Sequence, residues 1–458
     1  MRQKTQLDLA FPPVATGEAR SSGAAGTEAR AASAASESQA VCGPSMDAIV
    51  ERNNLRKALA QVRRNKGAPG IDGMTVDDLA AHLKDHWPAI KVQLLDGTYK
   101  PLPVRRVEIP KASGGMRPLG IPTALDRFIQ QATLQVLQAA WDPTFSEHSH
   151  GFRPGRSAQG AVRSAQEYLA AGDRYVVDID LEKFFDRVNH DILMGLVARR
   201  VHDRRILRLI RGFLTAGVLA DGLVGSTDEG TPQGGPLSPL LSNLMLDVLD
   251  RELERRGHRF VRYADDCNIY VRSRRAGQRV MASLEQFLAR HLKLRINAAK
   301  SAVDLPNRRG FLGFSFTAGK EPRRRIAPQA LTRFKSRVRE LTRRTRGASL
   351  AQSVEDLSRY LVGWRGYFGF CETPSVLRGL DRWIRRRLRA IVWKQWKRGR
   401  TRFAELRRRG VGKDLAARTA GSSHGPWRLS NSPALAIAIP TAFLNTLGLA
   451  ALDVFAAD

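Results

Sequence analysis

The hydrophobic pattern of the chain changes character several times along its length. Residues 13–45, including TGEARSSGAAGTEARAASAASESQA, carry no apolar periodicity and have the composition of a disordered Ala/Ser/Gly-rich tail. From Met46 a helical rhythm starts: Leu55, Leu59 and Val62 fall on one face of NNLRKALAQVRRNKG. A Gly/Pro-rich loop, GAPGIDGM, follows. The stretch TVDDLAAHLKDHWPAIKVQLL then reads as a helix that a Thr would cap. YKPLPVRRVEIPKASGGMRPLGIP reads as two short strands around a Gly-containing turn, and ALDRFIQQATLQVLQAAW as an amphipathic helix. Farther on, RYVVDIDLEKFFDRVNH opens as a strand over residues 175–179 and turns helical. HRFVRYADDCNIYVRS predicts two strands around a tight turn, AGQRVMASLEQFLARHLKLRI a helix and GFLGFSFTA a strand. After about residue 320 the strand signals stop, and three basic helical stretches follow. The order is α+β, then all-helical.

This predicts a tail at 1–45, a helical extension at 46–100, a mixed sheet-and-helix region at 101–317 and a helical domain at 318–458. The 458 residues allow two or three domains. Lys and Arg number 75 against 44 Asp and Glu, a formal charge of +31, which points to a polyanionic partner; 43% apolar residues place that charge on a folded core. No apolar run is long enough to span a bilayer and no signal peptide is visible, so the expectation is a cytoplasmic protein that does not use a membrane. Cys42, Cys267 and Cys371 lie far apart, which argues against a disulfide framework and a paired-thiolate zinc site.

Charge alone names no function; the carboxylates narrow it. Asp178 and Asp180 share one face at the end of a strand, and Asp265 and Asp266 sit at the turn of a hairpin flanked by apolar runs. Alone, such a pair reads as an ordinary turn. If the hairpin packs beside the Asp180 strand, three carboxylates converge and require cations. Magnesium accepts carboxylate oxygens while leaving positions for phosphate, and two such ions, roughly 3.5–4 Å apart, can clamp an in-line phosphoryl displacement.

The surrounding segments carry a resemblance. FVRYADD and DIDLEKFFD are similar to the two acidic motifs of reverse transcriptases. VEIPKASGGMRPLGIPTALDRFIQQA, HSHGFRPGRSAQGAV, GTPQGGPLSPLLSNLMLDVLD, LKLRINAAKSAV and RRGFLGFSF resemble the other segments, in the expected order over roughly residues 50–317. With YLVGWRGYFGF and GSSHGPWRLSNSPALAIAI, the chain from about Met46 onward resembles a group II intron reverse transcriptase/maturase of the endonuclease-lacking type. The resemblance implies a right-hand polymerase fold, with fingers and palm followed by a basic helical thumb or maturase domain. It implies that Asp180, Asp265 and Asp266 are catalytic and hold two Mg2+ ions. Phe184 or Phe185, with the spacing favouring Phe185, would stand under the sugar of the incoming deoxynucleotide. Lys111 and Arg117 would reach its triphosphate, Gln233 would contact the nucleotide, Gly234 and Gly235 would let the backbone approach, and Lys300 would lie near the triphosphate or on the surface.

Implied partners are the group II intron RNA, an RNA template with a DNA primer, and dNTPs. The runs RRTRG, RWIRRRLR and WKQWKRGR set cations beside Trp383, Trp393 and Trp396, which either stack on unpaired bases or fill a helical core; core fits Trp364 and Trp383 better. His148 and His150 have no neighbouring ligand partner and read as loop residues. The implied function is RNA-directed DNA synthesis in one chain with binding and splicing support of the intron RNA and retrohoming. The alternatives are a splicing-only maturase and a retron-type or defence reverse transcriptase.

Overall fold

The computed structural model describes residues 43–110, 115–220, 223–225 and 229–453. Most of the expected tail and Lys111 therefore lie outside the described residues. The chain divides into two compact units: residues 1–157, 179–267 and 278–302 form the first, and 158–178, 268–277 and 303–458 the second.

In the first unit, helix Arg52–Asn65 buries the expected Leu55, Leu59 and Val62 and also Ala58, and the Glu51 carboxylate caps it by accepting from the Asn54 N–H at 2.9 Å. It packs against helix Ala124–Trp141, where Asn54 Nδ2 donates to the Ala132 carbonyl at 3.0 Å. The next helix begins at Leu79 and not at the Thr75 cap expected from sequence. Thr75 and Asp78 bond each other instead, Thr75 Oγ1 donating to Asp78 Oδ2 at 2.6 Å, and hold a turn between them.

Strands β1 (Val104–Pro110) and β2 (Met116–Ile121) form the expected antiparallel hairpin, with Ile109 opposite Arg117. Two short strands that sequence reading missed, β4 (Val218–Ala220) and β5 (Leu223–Gly225), extend it into a sheet of order β2–β1–β4–β5. A second sheet has the order β6–β7–β3–β8, built from β3 (Tyr175–Ile179), β6 (Arg259–Tyr263), β7 (Asp266–Val271) and β8 (Ala302–Asp304). Helix Ser238–Arg255 packs on β6. After β3 the chain does not become helical at once. Lys183 adopts a left-handed φ of 47°, a single 3-10 turn covers Phe184–Asp186, and the helix starts only at His190.

The second unit carries the two-stranded ladder of β9 (Phe314–Phe316) and β10 (Arg324–Ile326) and the basic helices Pro328–Leu341, Leu350–Phe368 and Pro374–Gln395. Leu357, Leu361 and Trp364 line one face of the middle helix, and Phe334 packs on Trp364 with ring centroids 4.3 Å apart. Trp393 and Trp396 belong to this core, Trp393 with no exposed surface, so they are not free stacking platforms. Trp383 is half-buried beside Arg339 and Arg387. Trp427, which sequence reading passed over, is 39% exposed with the Arg386 guanidinium 4.0 Å above its ring.

The arginine run of this last helix does more than face solvent. Arg387 Nε donates to Thr342 Oγ1 at 2.6 Å, Arg389 Nε to the Ile439 carbonyl at 3.0 Å and Arg386 to the Trp427 carbonyl at 3.0 Å. These side chains tie helix ends together and lay their stems on apolar surface. Other cations of this unit are exposed, among them Arg343, Arg344, Lys394, Lys397, Arg398 and Arg400. Among the described residues no helix is long and apolar enough to cross a membrane.

Phe334 is fully buried at the centre of an aromatic group that includes Tyr360 and Trp364. Phe334→Ala is expected to destabilise this unit by about 3–5 kcal/mol, read as a shift in the urea midpoint of its helical signal.

Candidate active site

One hydrogen bond fixes the register of the acidic strands. The Arg174 N–H donates to the Val271 carbonyl at 3.0 Å. Arg174 precedes β3, Val271 ends β7, and the two strands are neighbours in the sheet. Only an antiparallel course lays them side by side from that starting pair. Counting six residues forward from Arg174 gives Asp180, and six back from Val271 gives Asp265. The three expected carboxylates, Asp180, Asp265 and Asp266, therefore share one end of the sheet. Asp178 is separate: Arg309 holds it at 2.6 Å.

Asp180 leaves the strand in a well-tied backbone. Its N–H donates to Ser301 Oγ at 2.9 Å, and its carbonyl accepts from the Asn297 N–H at 2.9 Å. Its carboxylate faces Lys300, with Nζ 3.3 Å from Oδ2. That brings together two of the residues singled out from sequence. Lys300 is mostly exposed, so the bridge is worth about 1 kcal/mol or less. Among the described residues, no group of three His, Cys, Asp or Glu side chains stands in ligand geometry for a metal ion. The donor set, carboxylates with a weakly held ammonium at one strand end, nevertheless suits a hard divalent cation, which would displace Lys300 at small cost.

Phe184 and Phe185 part company. Phe184 is buried in the core, and Phe185 stays half-exposed, its ring 5.2 Å from that of Phe184. Phe185 lines a cavity of about 380 Å³ together with Arg106, Gly120, Lys183, Thr231 and Gln233. The loop bearing Gln233 is bonded from both sides. The Thr231 N–H donates to the Phe185 carbonyl at 2.7 Å and the Gly120 N–H to the Gln233 carbonyl at 2.8 Å, while the Gly230 carbonyl bonds His190 Nε2 at 2.6 Å. Gly234 has φ +135°, and a Cβ there would stand 2.5 Å from the Gly120 oxygen, so only glycine fits. Of the remaining expected residues, Arg117 is on β2 opposite Ile109.

Beneath the acidic turn lies a residue that sequence reading missed. Arg262, on β6 and with no exposed surface, uses all five of its N–H donors. Nε bonds Asp250 Oδ1 at 2.7 Å and Nη2 bonds Asp250 Oδ2 at 2.5 Å. Nη2 also bonds Ser149 Oγ at 2.8 Å, and Nη1 bonds Asn243 Oδ1 at 3.0 Å and the Ala264 carbonyl at 2.9 Å. Burial opposes charge on both partners and pushes the Asp250 carboxyl up, while the charge of Asp250 and the two bonds it accepts hold Arg262 above its ordinary pKa. Next to it, burial and then the charges of Arg156 and Arg153 hold His150 down to about 4, so it stays neutral near pH 7. It serves as a loop residue, its backbone N–H donating to the Arg262 carbonyl at 2.8 Å.

The acidic hairpin end and the strand beside it share one end of the second sheet, and the glycine loop is bonded to the Phe185 carbonyl. Residues 109–316 match the reverse transcriptase (RNA-dependent DNA polymerase) family and residues 331–410 the group II intron maturase-specific domain. Protein YkfC of Escherichia coli is 41% identical over 45% of this chain and 56% of its own length. The group II intron-encoded protein LtrA of Lactococcus lactis is 42% identical over 41% of this chain and 31% of its own. A 91 kDa protein in the cob intron of Schizosaccharomyces pombe is 34% identical over 45% of this chain and 24% of its own. The matched part thus spans about half, or less, of these relatives. Over these two regions the chain is similar to group II intron reverse transcriptase/maturases. Reverse transcriptase domains as a class use divalent metal ions.

Gly234→Ala is expected to cost about 1–3 kcal/mol of strain and to loosen the packing of its loop on β2. A lower thermal midpoint, with faster amide exchange at Gly120, would register it.

Proposed function

We propose that this chain is an RNA-directed DNA polymerase that also binds its intron RNA and supports its splicing and retrohoming. The observation that carries the polymerase reading is the register that sets Asp180 opposite Asp265. Asp180, Asp265 and Asp266 would hold two Mg2+ ions. When bound, these ions supply positive charge at the oxygens of the phosphoryl displacement. The residues of the chain set the rest. Phe185 floors the sugar pocket and excludes a 2′-hydroxyl by bulk, and Gln233 and its glycines admit the nucleotide against backbone. With a divalent ion at Asp180, Lys300 would be free to reach the triphosphate, together with Arg117 of β2 and with Lys111. The maturase-specific match over residues 331–410 supports the RNA-binding half of the proposal.

Primer extension on an RNA template with dNTPs is the decisive assay. Full-length cDNA is expected with Mg2+ and none with EDTA. Asp265→Ala with Asp266→Ala should abolish synthesis, a loss of at least about 1,000-fold, while intron RNA still binds. Synthesis by that variant, or none by the native chain, sinks the polymerase reading. Phe185→Ala should let ribonucleotides be incorporated, seen as alkali-labile product.

The RNA-binding half needs a different variant. Substitutions within residues 385–389 would remove internal ties as well as charge, so they confound the result. Gln at Lys394, Lys397, Arg398 and Arg400 removes exposed charge only. Affinity for the intron RNA should fall, and the slope of log K against log salt should flatten by about 0.7 for each phosphate that is no longer neutralised. An unchanged slope would remove this face from the interface.

A further inference from the structure

We infer that Arg262 is a positioning residue for the acidic turn: it fixes the Ala264 carbonyl, and through it the left-handed turn that presents Asp265 and Asp266. The inference rests on the polymerase reading above and assigns the device that holds its carboxylates in place.

The turn is unusual in its residue choice. β6 ends at Tyr263 and β7 begins at Asp266, so Ala264 and Asp265 form a two-residue hairpin loop. Ala264 has φ +58°. Such loops place glycine or asparagine in this conformation, because a Cβ there crowds the following carbonyl. Nothing in the local sequence favours it, so something outside the turn must.

Arg262 Nη1 holds the carbonyl of Ala264 itself, and Asn243 Oδ1 shares that nitrogen. Asn243 Nδ2 in turn donates to the Gly151 carbonyl at 2.8 Å. A Cβ on Gly151 would come within 2.2 Å of the Ala264 nitrogen, so this backbone presses against the turn from the other side. The turn is thus gripped at its carbonyl and backed at its nitrogen. Asn243 and Asp250 lie seven residues apart, two turns along one face of helix Ser238–Arg255, which sets the fork at a fixed height. The guanidinium has no spare donor. A lysine would keep the charge opposite Asp250, but it has three donors in place of five and no planar fork.

The geometry predicts a defect in metal use more than in stability alone. Carboxylates held loosely bind a divalent ion in poorer geometry, and displacements of the order of 1 Å cost roughly 100-fold in rate. Arg262→Lys is expected to lower the rate of primer extension by roughly 10- to 100-fold. The Mg2+ concentration at half-maximal rate should rise several-fold, while the affinity for primer–template stays as in the native chain. Ala264→Gly in the same chain should restore part of the rate, because glycine adopts the turn without being held. A packing defect would not be repaired by a glycine. Asn243→Ala, which removes two bonds and no charge, is the second variant and covers the case in which Arg262→Lys fails to fold. It should show the same rise in Mg2+ requirement and the same rescue.

Native-like Mg2+ dependence in a folded Asn243→Ala or Arg262→Lys chain overturns the inference, and so does a variant whose lost rate Ala264→Gly leaves unimproved. These outcomes are distinct from failure of the polymerase reading, in which the native chain itself does not extend a primer.

Discussion

A single guanidinium, buried away from water, ties the acidic end of the first unit together. Arg262 joins residues that the chain keeps far apart: Ser149 on the stretch before it, Asn243 and Asp250 on a helix, and the Ala264 carbonyl on its own hairpin. Taking this charge and that of Asp250 out of water is expensive, and an apolar pair of similar volume would often be as stable. What an apolar pair lacks is direction. Five bonds in one plane fix three backbone segments at once, which dispersion forces cannot do. Removing one partner leaves the other charged and buried, at about 3–5 kcal/mol.

Arginine serves the second unit by the same chemistry at lower cost. Arg386, Arg387 and Arg389 reach carbonyls and hydroxyls at the ends of neighbouring segments while their stems cover apolar surface. A charge of +31 therefore overstates the cation field offered to a polyanion, since some of those charges are engaged inside the fold. The field that remains comes from the exposed side chains, among them Arg343, Arg344 and the cations from Lys394 to Arg400. Phosphate backbones respond to that local density and not to the sum.

Features encoded in short sequence windows were readable in advance; those made by residues distant in the chain were not. The acidic turn, the hairpin before it and the glycine loop each announce themselves within a few residues, because turn chemistry and strand period are local. The Phe184–Phe185 pair was half legible: spacing leaned to Phe185, and burial of Phe184 separates the two. Trp393 shows the limit of composition. Its basic neighbours suggested a stacking surface, yet it lies at the centre of the helical core. Thr75 looked like a cap and instead pairs with Asp78, because two capping-type residues three apart can satisfy each other before the helix begins. Arg262 was hidden among 75 cations. Its one local sign is its setting, an arginine inside the apolar run FVRY, with an Asn and an Asp spaced seven apart within the apolar helix LLSNLMLDVLD.

The cost of the acidic site explains why so much structure converges beneath it. Two adjacent aspartates with a third across the sheet repel one another, and they would relieve that repulsion by fraying the turn. A frayed turn would still bind cations, but each binding event would then have to reorder the backbone, and the ordering would be subtracted from metal affinity. Holding Ala264 in a left-handed conformation by an external bond transfers that ordering to the folding of the whole unit, where it is met once. The weak Lys300 bridge completes the logic: it moderates the charge on Asp180 without competing strongly for it. The site is thereby rigid in its backbone and replaceable in its counter-charge, the combination that a metal-dependent polymerase needs between one nucleotide and the next.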